Sequence, residues 1–159
     1  MTEDKVAEAG RINRRALLAG AAVAAAGALL PAPAVAAPED LAVALKALLG
    51  EAKLQTGRVL IELPALADNG NSVPITVLVA SPMTAADHVK TIHVLAEKNP
   101  LANIARFHLG PRAGRARVQT NIRLALTQTV TVVAEMSDGS FWASAAETIV
   151  TAAACLEDT

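Results

Sequence analysis

Aromatic residues are scarce in this chain, and neither sign of charge is in excess. The 159 residues include two phenylalanines, one tryptophan and no tyrosine, which is too few rings for a base-stacking platform or an aromatic ligand groove. After residue 36 the chain carries ten basic and twelve acidic side chains, so it has no basic stripe for a phosphate backbone. These two shortages exclude nucleic-acid binding.

Cysteine is rarer still, because Cys155 is the only one in the sequence. An internal disulfide, an iron–sulfur cluster and a thiolate zinc site each need several thiolates, so all three are excluded. The chain also has no nucleophile elbow, phosphate-binding loop or dinucleotide fingerprint. We therefore expect one compact domain without a cofactor, and not an enzyme.

The N-terminus has the pattern of an export signal. Arg14 and Arg15 directly precede a weakly hydrophobic, alanine-rich run over residues 16–30, which prolines interrupt before it reaches the roughly 20 residues that span a bilayer. Small residues at the end of this segment suit cleavage after Ala36. Residues 1–36 are predicted to be a twin-arginine signal peptide, which places the mature protein in the periplasm and off the membrane. An uncleaved N-terminal anchor is the alternative.

The rest of the chain opens with one helical repeat and then changes to strand periodicity. Leu41, Leu45 and Leu48 recur at helical spacing and predict one amphipathic helix within residues 38–54. Further on, short β-branched runs alternate with turn clusters, which is typical of an antiparallel sandwich. The predicted strands are residues 59–63, 73–79, 89–95, 104–109, 115–126, 130–135 and 141–150. The fold class is therefore all-β, an immunoglobulin-like sandwich of about seven strands over residues 37–151.

The three histidines are candidate metal ligands, and we expect them to bind none. His88 and His93 are an odd number of positions apart, so on one continuous strand they would point to opposite faces. A site built from them and His108 would need carboxylates from other strands. No metal site is therefore predicted.

Three carboxylates and the tryptophan are the other candidates. Glu62, Asp68 and Asp87 show no paired spacing that suits acid–base chemistry, so we expect solvated surface groups. Trp142 begins the last predicted strand, where we expect a ring packed in the core, and a contact with a partner is the alternative.

The C-terminus carries the remaining candidate site. A tail over residues 152–159 holds Cys155 away from the sandwich, and the alanines before it leave the tail slim enough for a narrow cleft in another protein. A lone thiol in an oxidising compartment is expected to form mixed disulfides or a Cys155-linked homodimer. A sandwich that acts as an adaptor or binding protein and leaves Cys155 unused is the alternative.

Several segments, in order, resemble the SoxY family of bacterial sulfur oxidation. They are Gly57-Arg-Val-Leu-Ile-Glu-Leu-Pro64, Ala67-Asp-Asn-Gly-Asn-Ser-Val-Pro74, Asp87-His-Val-Lys90, Lys98-Asn-Pro100, Thr120-Asn-Ile-Arg-Leu-Ala125, Ser137-Asp-Gly139, Phe141-Trp142, and Val150-Thr151 leading to Cys155. The resemblance implies a periplasmic carrier that pairs with a SoxZ-like sandwich protein as a heterodimer. It also implies that sulfur intermediates are attached to Cys155 on a swinging arm and presented to periplasmic sulfur-oxidising enzymes.

The arm departs from the family pattern. SoxY proper ends in a glycine-rich Gly-Gly-Cys-Gly-Gly arm, whereas this one resembles that of a SoxY-related group with an Ala-Ala-Cys-Ile-Glu arm. The arm residues that flank Cys155 here are Ala152, Ala153, Ala154, Leu156, Glu157 and Asp158. Alanine restricts the backbone relative to glycine, and the two carboxylates disfavour a thiolate and repel anionic cargo. We therefore expect the ordinary thiosulfate cargo to suit this arm poorly.

Overall fold

A computed structural model describes residues 40–152, and it begins with one short helix. Helix α1 (Leu41–Leu49) starts at Asp40, whose side chain accepts a hydrogen bond of 2.8 Å from the amide of Ala42. It ends at Gly50, which has a φ of 56° and donates its amide to the carbonyl of Lys46. The helix lies within the predicted range of residues 38–54, and it ends before the last residues of that range because Gly50 adopts the left-handed backbone that ends a helix.

Within residues 40–152 nine strands follow the helix, two more than the sequence predicts. They are β1 (Leu54–Thr56), β2 (Val59–Glu62), β3 (Leu66–Ala67), β4 (Val73–Val79), β5 (Val89–Ala96), β6 (Asn103–His108), β7 (Arg117–Ile122), β8 (Gln128–Met136) and β9 (Phe141–Val150). The unpredicted ones are β1 and β3, which are three and two residues long. Such short segments carry no periodicity that a sequence pattern could reveal. The predicted strand over residues 115–126 is shorter than expected and ends at Ile122.

The strands form two sheets packed face to face. The larger has six strands in the order β1-β9-β8-β5-β6, with β3 also paired to β9, and the smaller has three in the order β2-β4-β7. The all-β sandwich prediction is confirmed. The strictly antiparallel expectation is wrong in one respect, because β1 and β3 run parallel to β9.

Successive side chains of the central strands point to opposite faces of the larger sheet, so these strands contribute to two separate apolar clusters. Ile92 and Val94 of β5 face the smaller sheet and join the core between the sheets. Leu95 and Val133 belong to a second cluster with Phe141 and Ala143, and this cluster lies against the leucines of α1. The helix thus covers part of the outer face of the larger sheet. Within residues 40–152 no helix is long and apolar enough to cross a membrane.

Candidate functional site

The last strand is bonded to the sandwich up to the point where the predicted arm begins. The amide of Thr151 donates to the carbonyl of Ala67 at 3.1 Å, and its hydroxyl donates to the carbonyl of Asp68 at 3.0 Å. The carbonyl of Ala152, the first residue assigned to the arm, accepts from the amide of Gly70 at 2.7 Å. These bonds make an anchored base, which we call the arm base (residues 65–70 and 149–152).

A buried polar network braces the loops beside this base. The side chain of Asn99 accepts from the amide of Ala125 at 3.0 Å and from Nε2 of Gln128 at 2.8 Å. It also donates to the carbonyl of Arg123 at 2.8 Å. The carbonyl of Gly70, in the arm base, accepts from the amide of Leu124, which precedes Ala125 in the chain. Asn99 stands before Pro100 in a short polar segment, and nothing in its local pattern shows that it joins segments far apart in the chain.

Cys155, the predicted attachment residue, lies outside the described residues, as does the whole segment 153–159. Cys155 stands three residues after Ala152, and an extended chain advances at most about 3.6 Å per residue. Three residues of chain span at most about 11 Å in any conformation. The role of Cys155, and those of Ala153, Leu156 and the acidic residues of the arm, stay predictions.

Three large apolar side chains are exposed around the arm base. Leu66 and Ile149 face each other in register on β3 and β9 and are 56% and 52% exposed. Leu126 is 44% exposed and precedes Thr127, whose hydroxyl accepts from the amide of Val150. We call these three residues the apolar rim. Exposed apolar side chains that cluster are typical of protein contact surfaces.

His88 and His93 do not lie on one continuous strand, which was the arrangement considered in the sequence. His88 precedes β5 and has Nδ1 3.0 Å from the carbonyl of Thr84. A bulge near Lys90 shifts the register of β5, so the premise of one continuous strand is wrong. His93 and His108 line one pocket on the outer face of the larger sheet. Among residues 40–152 no three histidines, cysteines or carboxylates are grouped so that they could hold a metal ion.

Trp142 packs against the core between the sheets and is half-buried. Its Nε1 donates to the hydroxyl of Ser140 at 3.1 Å, and the guanidinium of Arg58 lies 4.8 Å from the ring centroid. The hydroxyl and amide of Ser140 both donate to Asp138. These hydrogen bonds, the side-chain one first, hold the pKa of the exposed Asp138 below its usual value. The core position predicted for Trp142 therefore agrees with its packing.

The candidate carboxylates form no catalytic arrangement. Glu62 and Asp68 are exposed, as expected for solvated surface groups. Asp87 is half-buried, so its assignment as a solvated group was incomplete: its carboxylate lies 3.7 Å from Arg58. Its backbone also exchanges hydrogen bonds with Thr84. These bonds close the loop from Thr84 to Asp87 and hold Asp87 partly buried. The sequence around Asp87 does not reveal such a loop.

Comparison with known proteins is consistent with this architecture. The family profile described as "Sulfur oxidation protein SoxY" matches residues 45–155. The sulfur carrier protein SoxY from Chlorobium limicola f thiosulfatophilum is 27% identical, with a TM-score of 0.59 over 70% of this chain and 96% of that one. No curated protein sequence matches significantly.

Superoxide reductases share the fold. The superoxide reductase (neelaredoxin) from Ignicoccus hospitalis is 18% identical, with a TM-score of 0.53 over 59% of this chain and 80% of that one. A putative superoxide reductase from Thermotoga maritima is 20% identical, with a TM-score of 0.51 over 62% of this chain and 93% of that one. At these identities the likeness shows the sandwich alone.

Proposed function

This chain belongs to the SoxY family of sulfur oxidation proteins, and we propose that it is a carrier that holds sulfur intermediates covalently on Cys155. The observation that carries the proposal is that the family match extends to residue 155 and so includes the cysteine. In this role the protein presents its cargo to partner enzymes and performs no catalysis of its own. The likeness to a sulfur carrier protein from Chlorobium supports the same role.

The arm base supports the proposal physically. A carrier needs a rigid body and a reach long enough to enter a partner's active site. The bonds from Thr151 and Ala152 to the 65–70 segment anchor the chain where the proposed arm begins, and the three residues from Ala152 to Cys155 can span at most about 11 Å. A partner enzyme that accepts the arm must therefore dock against the arm base.

The apolar rim suits such a docking surface. Leu66 and Ile149 are paired in the arm base, and Leu126 precedes Thr127, which is hydrogen-bonded to Val150. Burying each of them is favourable, by about 25 cal/mol for every Å² of apolar surface removed from water. A transient partner needs only a small contact of this kind, because cargo must also be released.

The compartment proposed for this carrier is the periplasm, reached by twin-arginine export. Residues 1–36, which carry the predicted signal, lie outside the described part of the chain. The sequence support is the Arg14-Arg15 pair before a short alanine-rich run. An oxidising compartment suits a lone cysteine that exchanges sulfur bonds with partners.

The carrier role predicts a covalent adduct on Cys155 in the cell. The protein purified from the periplasm of sulfur-oxidising cells is expected to show mass additions of sulfur or sulfur oxoanions, located on the C-terminal peptide and removed by a reducing agent. Cys155→Ser is the matched control and should carry none. An unmodified thiol in all such preparations, with normal sulfur oxidation by the Cys155→Ser strain, would favour the adaptor role instead.

A SoxZ-like sandwich protein is the proposed stable partner. In the described part of the chain, β2 and β7 are the edge strands of the smaller sheet and β6 is an edge of the larger. Unpaired edges favour association with another chain. Co-expression of the two proteins should give a one-to-one complex on size-exclusion chromatography. A soluble monomer whose elution does not change with the SoxZ-like protein would contradict this pairing.

A further inference from the structure

A groove opens between the edges of the two sheets. Strand β6 is an edge of the larger sheet and β7 is an edge of the smaller one, and the groove between them has a volume of about 460 Å³. Its apolar lining includes Ile104, Ala105 and Phe107 of β6 and Ile122 of β7. The side chains from β6 pack against the core between the sheets but are only partly buried. The groove therefore exposes apolar surface that an apolar side chain could cover.

A single charged residue, Arg123, lines this groove. It is exposed, and its guanidinium has no carboxylate within salt-bridge distance among the described residues. The side chains of Asn99 and Asn121, which also line the groove, are already hydrogen-bonded within the sandwich. An occupant that suits both features carries an apolar group next to a negative charge.

The end of the groove at Arg123 lies beside the arm base. The amide of Leu124, the residue after Arg123, donates to the carbonyl of Gly70 at 2.8 Å, and the amide of Gly70 donates to the carbonyl of Ala152 at 2.7 Å. Because both bonds involve Gly70, the carbonyl carbon of Arg123 is at most about 11 Å from the carbonyl oxygen of Ala152. The groove thus begins close to the residue at which the described chain ends.

The segment after Ala152 has the composition that this groove requires. Residues 153–159 contain one large apolar side chain, Leu156, which Glu157 and Asp158 follow directly. Leu156 is four residues from Ala152, and four residues span at most about 14 Å. This reach exceeds the separation between Ala152 and Arg123. The acidic pair can then lie next to the guanidinium that lacks a carboxylate.

We propose that residues 153–159 dock back onto the sandwich, with Leu156 in the groove between β6 and β7 and Glu157 or Asp158 paired with Arg123. Docking holds Cys155 at the mouth of the groove, and no covalent bond forms or breaks. The contact is small and reversible, because it consists of one apolar side chain and one ion pair at the surface. The use of this docked state rests on the proposed function: it protects the thiol from unwanted disulfide exchange until a partner enzyme takes the arm.

The reactivity of the thiol measures how much of the arm is docked. The test is alkylation of the purified, folded protein by iodoacetamide, an uncharged reagent, followed over time by mass spectrometry. Cys155 is the only cysteine in the sequence, so each addition to a thiol reports on that residue. Leu156→Ala keeps every charge and removes the apolar contact. We expect it to react on the order of fivefold faster than the natural chain.

Arg123→Gln separates docking from a direct effect of charge on the thiol. Loss of a nearby cation by itself raises the pKa of a thiol and slows its alkylation, whereas release of a docked arm speeds alkylation. We therefore expect Arg123→Gln to react faster than the natural chain. Arg117→Gln is the matched control, because Arg117 is also exposed but begins β7, at the end of the strand away from Arg123. Its rate should equal that of the natural chain.

Equal rates for the natural chain, Leu156→Ala and Arg123→Gln would overturn the proposal. Protection that is lost when the protein is diluted about tenfold would overturn it too, since the arm would then dock on a second copy. A thiol that reacts freely would leave the carrier role intact, because the adduct formed in the cell tests that role. A protected thiol that never carries sulfur would contradict the carrier role alone.

Discussion

Exchange of the acidic arm for a glycine-rich one is expected to raise the loading of Cys155 by thiosulfate on the order of tenfold. The variant combines Ala153→Gly, Ala154→Gly, Leu156→Gly and Glu157→Gly with deletion of the last two residues. The measurement is the mass shift on Cys155 over time, for both arms, with the thiosulfate-conjugating enzyme, thiosulfate and an electron acceptor. In this step a thiolate and thiosulfate form a sulfur–sulfur bond, and two electrons pass to the acceptor.

The physical reason is the negative charge next to the sulfur. Glu157 and Asp158 lie two and three residues after Cys155. Each disfavours the thiolate and repels a doubly negative substrate, by about 1 kcal/mol or less while exposed to solvent. Inside a partner's channel, where the dielectric constant is lower, the same charges weigh more. The natural partner is therefore expected to line its channel with basic side chains.

Two partial variants separate charge from backbone freedom. Glu157→Gln with Asp158→Asn removes two charges and keeps the alanines, whereas Ala153→Gly with Ala154→Gly loosens the backbone and keeps the charges. If charge dominates, the first variant recovers most of the loading and its advantage shrinks as salt is added. Equal and efficient loading of the natural arm would show that the arm does not select its cargo.

Replacement of Asn99 by alanine is expected to lower the free energy of unfolding by about 3 kcal/mol. The substitution leaves the buried amide of Ala125, Nε2 of Gln128 and the carbonyl of Arg123 without their Asn99 partner. Gln128 is 2% exposed, so water does not readily replace the lost bond. For a domain of this size the melting temperature should fall by roughly 10 °C or more.

Urea unfolding of Asn99→Ala and of a matched control measures this effect. Asn121→Ala removes an exposed amide whose side chain donates to Ser72, and it should change stability by about 0.5 kcal/mol or less. A loss for Asn99→Ala as small as that of the control would mean that the network does not hold these loops together. Leu124, next to Ala125 in this network, is bonded to Gly70 of the arm base, so the proposed carrier function should also become more sensitive to temperature.

The pattern along the chain was enough to predict the sandwich and most of its strands. Strands such as β4 and β8 are β-branched runs between turn clusters, and their burial against the facing sheet is a local consequence of their alternation. The helix was predicted for the same reason, because its leucines recur at a helical spacing. Its end was not, since Gly50 stops the helix through a backbone angle that no apolar spacing reveals.

Some features of the candidate site could likewise be predicted from the sequence, and others could not. Cys155 as the single cysteine, the acidic residues beside it and the family resemblance can be read along the chain. The arm base and the network of Asn99 cannot, because they join segments tens of residues apart.

The pocket that contains His93 shows most clearly why contacts between distant residues could not be predicted from the sequence. Whether His93, Arg106 and Glu135 face one another depends on the register of three strands and on a bulge in β5. A shift of one residue in any of those pairings would turn a side chain to the other face of the sheet. Residue types and their periodicity follow from local chemistry, whereas the meeting of distant charges depends on the free energy of the whole packed sheet.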